Sequence, residues 1–269
     1  MPIQKIAATF FAVIAFELFS GYQTKACEVK RMKIFGKGFN FSQDGPGNRL
    51  VYHLQGCNLS CPWCSNPEGM TFEGGVAITT EELLREVISC KPMFFDGGGV
   101  TFTGGECTCQ FDALKEALIS LKRERIHTVI ETNGTSPRLT ELFPLVDELI
   151  MDCKHYDNDI HEKFTGIGNE QIKSNLKAAF QNHPCVLIRI PLIGGFNASE
   201  QDMEQFAALF SEFDTSNVRF ELLLYHEYGK DKWEKCGKTY TVHNAFVSEE
   251  ERKRYNEILH NHGLQIVRT

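Results

Sequence analysis

From about residue 50 onward, short apolar runs alternate with segments of helical periodicity. The runs "RLVYHLQG", "GGVTFTGG", "HTVIETNG", "ELIMDCKH", "CVLIRIPL" and "VRFELLLYH" read as strands. Between them, "TTEELLREVISC" carries Leu83, Leu84, Val87 and Ile88 on one helical face, and Thr79 with Glu82 has the spacing of a capping box. "FDALKEALISLKRE" places Phe111, Leu114, Leu118 and Leu121 on one stripe, and a short helix is expected near residues 138–143. "NEQIKSNLKAAFQNH" and "SEQDMEQFAALFSEF" continue the alternation, and "SEEERKRYNEILHNHG" ends it with Ser248 and Glu251 as a second capping box. Such alternation implies an α/β fold with a parallel sheet, because parallel neighbours need a crossover that a helix supplies.

The polar and glycine-rich residues all follow strands: "GCNLSCPWC", "GGE", "ETNG", "DCKH", "GGFN" and "YHEYG". A doubly wound sheet gathers its functional groups at one switch point, whereas a barrel draws them from the C-terminal ends of many strands. The expected architecture is therefore a partial (β/α)6 TIM-type barrel of parallel strands, with its active site at the C-terminal strand ends. No internal repeat, low-complexity segment or linker divides it.

Composition narrows the function classes. The chain has 269 residues, and 42% of them are hydrophobic, which is ample for one sizeable core. The net charge of −7, with no basic run interleaved with aromatic residues, argues against nucleic acid as a partner. Residues 1–31 are read as an N-terminal extension to a domain spanning 32–269. Its apolar run, residues 6–19, is interrupted by Glu17 and is too short for a comfortable membrane span. It has the look of a weak signal-like segment, but a mis-assigned start is the preferred reading, with Met32 beginning the protein.

Ten cysteines are many for this length. Cys90, Cys153 and Cys185 stand singly in apolar or helical contexts and read as small buried residues. Cys57, Cys61 and Cys64 crowd into eight positions, and three soft thiolates in one short loop suit zinc or an iron–sulfur cluster. A structural zinc site needs four ligands, and His53 or Cys107 is a conceivable fourth; a ferredoxin-type cluster needs four cysteines, and no second spaced set is present. A cubane 4Fe–4S cluster held by three cysteines leaves one iron open to a substrate, such as an amino acid chelating through its amino and carboxylate groups.

The CxxxCxxC spacing after the first strand, with Trp63 before the third cysteine, resembles the radical S-adenosylmethionine (SAM) enzymes. "DGPGNR", "GGGVTFTGGE", "ETNG", "MDCKH" and "LLLYHEYGKDKW" follow in the order seen in glycyl-radical enzyme activases, and the likeness runs from about residue 33 to 269. The resemblance implies one 4Fe–4S cluster on Cys57, Cys61 and Cys64. It implies SAM contacts from Trp63, Ser65, Gly104, Gly105, Glu106, Asn133, Asp152, Cys153, Lys154, Arg189 and His226. Lys154 would lie near the methionine carboxylate and His226 would face the nucleoside.

Glu131, Thr132 and Asp152 match a monovalent-cation site, although Glu131 is one methylene longer than the family's usual Asp. Asp44 matches an acid at the mouth that admits the partner's glycine loop, and Asn48 stands where the family usually has an apolar residue. Cys107 and Cys109 are read as non-ligands, since a CxC pair alone cannot complete a second cubane. The implied partners are a glycyl-radical enzyme of the pyruvate formate-lyase kind and a flavodoxin or ferredoxin as electron donor. The chain is expected to act as a cytoplasmic monomer under anaerobic conditions. Two competing readings stand beside this one: another radical SAM enzyme acting on a small molecule or a different protein, and a non-catalytic zinc or iron–sulfur binding protein.

Overall fold

The computed structural model describes residues 30–268. The expectation for residues 1–31 falls almost wholly outside them. Among the described residues, eight strands form one sheet: β1 (Arg31–Phe41), β2 (Asn48–Leu54), β3 (Val76–Thr79), β4 (Gly99–Gly104), β5 (Thr128–Thr132), β6 (Glu148–Asp152), β7 (Val186–Leu192) and β8 (Val218–Leu224). Their order is β3-β1-β2-β4-β5-β6-β7-β8. The six strands expected from the sequence are β2 and β4 to β8, and the pairings among them are all parallel. Strands β3 and β8 end the row without meeting, so the barrel stays open.

Two strands were not expected. β1 pairs antiparallel with β2 and β3, which lengthens the sheet beyond the first barrel strand. Its apolar alternation is confined to Met32 and Ile34, and glycines at 36 and 38 interrupt the period-two signal.

The helices are α1 (Thr80–Cys90), α2 (Phe111–Arg123), α3 (Asn158–Thr165), α4 (Glu170–Asn182), α5 (Glu200–Ser211), α6 (Lys230–Lys235) and α7 (Glu249–Asn261). Both expected capping boxes form: Thr79 Oγ1 accepts from Glu82 N at 3.1 Å, and Ser248 Oγ accepts from Glu251 N at 3.1 Å. A third forms at Ser199 and Asp202. The α2 stripe is buried as expected, whereas on α1 only Leu83 and Val87 are fully buried and Ile88 is exposed. Two single-turn 3₁₀ segments stand where a short helix was expected near residues 138–143.

Strand alternation sorts the core into two layers. Leu50, Tyr52, Leu54, Ile130, Leu149, Met151, Ile188 and Ile190 face outward into the main core with the helices. Val129, Ile150 and Leu187 face inward and make a small apolar floor in the lower barrel, joined by Val267 from the chain's last segment. That segment lies beside β8 through Val267 N to Phe220 O, 2.8 Å.

The segment 42–47 between β1 and β2 also enters the lower barrel. A Cβ on Gly45 would sit 3.0 Å from a Val129 methyl. Arg49, fully buried, spans this level by donating to Thr101 Oγ1 and to the carbonyls of Val100 and Pro46 at 2.7 to 3.0 Å. Asp44 is drawn in with it and accepts from the Asn40 amide. Burial, followed by the Glu131 charge, pushes its carboxyl pKa up from 3.8 to about 6.

A carboxyl whose folded pKa exceeds its unfolded one holds its proton more tightly when folded, so stability falls as pH rises from about 4 through about 6 and levels off above. Asp44→Asn should therefore raise unfolding free energy by about 2 kcal/mol at about pH 8. That gain should shrink as the pH is lowered toward about 4, as read from urea midpoints across the range. An equal effect at both ends would contradict the buried-acid assignment.

Candidate active site

Above the apolar floor the inward-facing side chains become polar. Glu131 on β5 accepts from Arg189 Nη1 on β7 and, at 2.8 Å, from Thr103 Oγ1 on β4. Arg189 also pairs with Glu221 on β8 at 3.0 Å and donates to the Gln43 carbonyl. Burial opposes the charges on Glu131 and Arg189, yet their mutual attraction outweighs it, so the acid is shifted down and the base up. This tie across four strands is a platform beneath the cavity, which it meets through Glu131 and Thr103.

The cavity opens at the C-terminal strand ends and has a volume of about 250 Å³. Cys57, Cys61 and Cys64 stand in one wall, and Asp152, Lys154 and His226 stand at the ends of β6 and β8. Trp63, Ser65, Gly104, Gly105, Glu106, Glu131, Thr132 and Asn133 complete most of the expected set. Thr103, Asn66, Pro191, Ile193, Leu223, Leu224 and Tyr225 also line it and were not anticipated. Tyr225 was the legible one, since it immediately precedes the His226 already singled out.

Two expected SAM contacts lie elsewhere. Cys153 faces the opposite way, into the main core, because side chains alternate at the end of β6. Arg189 is taken into the platform, and Asp44 lies at the level of Arg49, outside the cavity lining.

The cysteine loop is held from several sides. Ser60 N and Oγ donate to Thr165 O at the end of α3, at 2.8 and 3.1 Å. Trp233 Nε1 on α6 donates to Cys64 O at 2.9 Å, and Lys232 pairs with Glu68 at 2.8 Å. Leu59, Cys61 and Trp63 pack with Ile193, Phe196, Tyr225 and Ala245 in a satellite core, with Trp63 and Phe196 rings 4.6 Å apart.

The glycines of "TGGE" serve this loop. Gly105 N donates to Leu54 O at 2.9 Å and Glu106 N to Gly56 O at 2.8 Å. A Cβ on Gly105 would lie 2.3 Å from Gly56 O and 2.4 Å from Gly69 O, so what these glycines approach is the backbone of the cysteine loop. The Glu106 carboxylate is likewise engaged: it accepts from Thr108 N, Thr132 Oγ1 and Asn133 N at 2.7 to 2.9 Å, clasping the end of β4 to the end of β5.

Residues 51–207 match the family model of the Radical SAM superfamily. The chain belongs to that superfamily. Within it, the chain is 31% identical over 249 residues to the pyruvate formate-lyase 1-activating enzyme of Escherichia coli (strain K12), covering 88% of this chain and 100% of that one. It is 35% identical over 215 residues to the pyruvate formate-lyase-activating enzyme of Clostridium pasteurianum, covering 78% and 89%. The crystal structure of a domain of pyruvate-formate lyase-activating enzyme from Bacteroides vulgatus ATCC 8482 superposes with a TM-score of 0.53 at 28% identity, over 64% of this chain and 98% of that one. A radical SAM methyltransferase from Sphaerobacter thermophilus, 15% identical, shares the fold with a TM-score of 0.62 over 93% of this chain and 80% of that one.

The donor set suits the iron–sulfur cluster that a radical SAM protein carries. Leu59 N and Asn66 N each lie 3.4 Å from a thiol sulfur, Cys57 and Cys64, as donors that favour thiolate. Burial pushes the Cys57 and Cys61 thiols up to about 12 and shifts Cys64 in the same direction, so a thiolate without a counter-charge is disfavoured there. Among the described residues no three His, Cys, Asp or Glu side chains converge as ligands of a single ion.

The residues of the expected monovalent-cation site, Glu131, Thr132 and Asp152, all line the cavity, and each already has a protein partner. Glu131 belongs to the platform, the Thr132 hydroxyl donates to Glu106, and Asp152 pairs with Lys154. Burial works against the Lys154 charge and the Asp152 carboxylate more than offsets it, so the ammonium is held charged.

Gly105→Ala should displace the cysteine loop at a cost of about 1–3 kcal/mol, lowering bound iron as well as SAM affinity. Iron analysis of the reconstituted variant distinguishes this from a pure ligand contact, which would leave iron content at the wild-type level.

Proposed function

We propose that this chain activates a glycyl-radical enzyme of the pyruvate formate-lyase kind by reductive cleavage of SAM. The observation that carries the reading is the single cavity in which three cysteines face Asp152, Lys154 and His226, in a chain matching pyruvate formate-lyase-activating enzymes over most of its length. Cys57, Cys61 and Cys64 would hold a 4Fe–4S cluster, which would supply the one electron needed for reductive cleavage of SAM and so for removal of a glycine Cα hydrogen atom from the partner.

The chain's own residues bind, orient and exclude water. Lys154, kept charged by Asp152, is placed to pair with the methionine carboxylate. A monovalent cation on Glu131, Thr132 and Asp152 would add positive charge near the same carboxylate. His226 and the Trp63–Ser65 turn take the nucleoside half. Ile193, Leu223 and Tyr225 give the cavity an apolar wall that keeps solvent from a reactive carbon radical. No general base is needed, because the step moves a hydrogen atom and leaves a radical shared between two peptide groups. Asp44, near β1 and the platform, belongs to the path by which the partner's loop enters. The electron comes from a flavodoxin or ferredoxin in an anaerobic cytoplasm, and the chain works as a monomer. Among the described residues no helix is long and apolar enough to cross a membrane.

Anaerobic mixing with reductant, SAM and pyruvate formate-lyase should produce a glycyl doublet in the electron paramagnetic resonance spectrum. 5′-Deoxyadenosine without a doublet in any candidate lyase would instead favour a radical SAM enzyme with another substrate. Zinc without a brown chromophore on reconstitution would favour a binding module.

Single alanine replacements of Cys57, Cys61 or Cys64 should abolish both the chromophore and the doublet. Cys109→Ala and Cys107→Ala should retain the cluster. Cys107 sits in the main core with its thiol toward Glu131 O at 3.4 Å, so its replacement should cost only about 1 kcal/mol of stability.

A further inference from the structure

Three histidines in this chain share one local device. Asp157 N donates to His155 Nδ1 at 2.9 Å, Cys185 N to His183 Nδ1 at 3.2 Å, and Tyr228 N to His226 Nδ1 at 3.4 Å. In each case the backbone N–H two residues on occupies the Nδ1 lone pair, which leaves the ring proton on Nε2. The first two rings then meet a backbone carbonyl with that N–H: His155 Nε2 lies 3.2 Å from Phe196 O, and His183 Nε2 lies 3.2 Å from Val146 O. Both are closed, structural arrangements. Among the described residues the His226 ring meets no such carbonyl, and it lines the cavity instead.

A second observation sets His226 apart. The Tyr228 ring stacks on it with centroids 4.2 Å apart and planes 21° from parallel, although Tyr228 itself is 83% exposed. A large aromatic ring so exposed adds little to the core, and its one ring contact is the face of a cavity residue. The stack limits rotation of the imidazole about its bond to Cβ, and the backbone N–H selects its tautomer. Burial also lowers the His226 pKa below the ordinary histidine value, in keeping with a neutral ring.

We propose that Tyr228 is a positioning residue: it holds His226 as the tautomer protonated on Nε2 and aims that N–H at a hydrogen-bond acceptor on the nucleoside half of SAM. The inference rests on the reading of the cavity given under Proposed function. His226 is then a donor to the ligand, and the specificity it confers is for an oxygen or nitrogen lone pair. Tyr228 acts only through His226.

A double-mutant cycle on the oxidised, cluster-loaded full chain, with SAM as the probe and no partner enzyme or reductant, tests this. Tyr228→Ala should weaken SAM binding about fivefold, the loss of one ring stack, while Tyr228→Phe keeps the stack and stays within about twofold of wild type. In a His226→Ala background, Tyr228→Ala should have no further effect. Iron content should be the same in all variants, since a general disturbance of the strap above the cysteine loop would lower it. Unchanged affinity in Tyr228→Ala, or an undiminished loss in the His226→Ala background, would overturn the positioning role while leaving the cavity assignment intact. Failure of the wild-type protein to bind SAM would overturn the cavity assignment, and this inference with it.

Discussion

The site depends on one backbone-to-backbone junction, where the end of β4 docks on the cysteine loop. Gly105 N and Glu106 N donate to Leu54 and Gly56, and no side chain fits between these strands of backbone. The loop that carries three thiols is thereby welded to the second parallel strand, and Glu106 passes the constraint to the third through Thr132 and Asn133. The aromatic packing around Trp63 and the α6 strap then hold the loop from its far side. A site for a multi-iron cluster needs its ligands spread at fixed separations, and a loop fastened on several sides provides that better than a flexible one.

The barrel interior shows how one sheet separates stability from chemistry. The lower level is apolar, with Val129, Ile150 and Leu187. The middle level is the ion-paired platform of Glu131, Arg189 and Glu221, and the upper level is the cavity. A buried charged platform is costly unless each charge is paired and hydrogen-bonded. Here one guanidinium, Arg189, reaches two carboxylates and a carbonyl, so its loss would deprive both buried acids of this cation directly below the cavity.

Much of this was legible in the sequence, and the reasons are physical. The six parallel strands and the helices α2, α4, α5 and α7 have strong periodicity, caps or both, so local pattern and tertiary structure agree. The strand-end clusters "DCKH" and "YHEYG" were legible because a parallel barrel collects polar groups at one end, and the family resemblance picked Lys154 and His226 out of them. β1 was missed because Gly36 and Gly38 erase its alternation, and α3 because only eight residues follow the Asp157 cap. The direction a side chain takes was harder still. Cys153 and Lys154 are neighbours in sequence, yet one belongs to the core and the other to the cavity. Arg189 and Glu131 read as ligand contacts because nothing local reveals that they find each other across two strands.

The satellite core around Trp63 has a bearing on how the protein is made. The thiols at 57, 61 and 64 emerge early from the ribosome, whereas Ile193, Phe196, Tyr225 and Ala245, which pack over them, are synthesised more than a hundred residues later. For most of synthesis the loop has its cysteines but not its shelter, and contacts this distant in sequence form late. A cluster delivered to the nascent chain would meet water on its open side. Cluster insertion therefore belongs after release of the chain, when β7, β8 and the strap beyond them have closed over the loop.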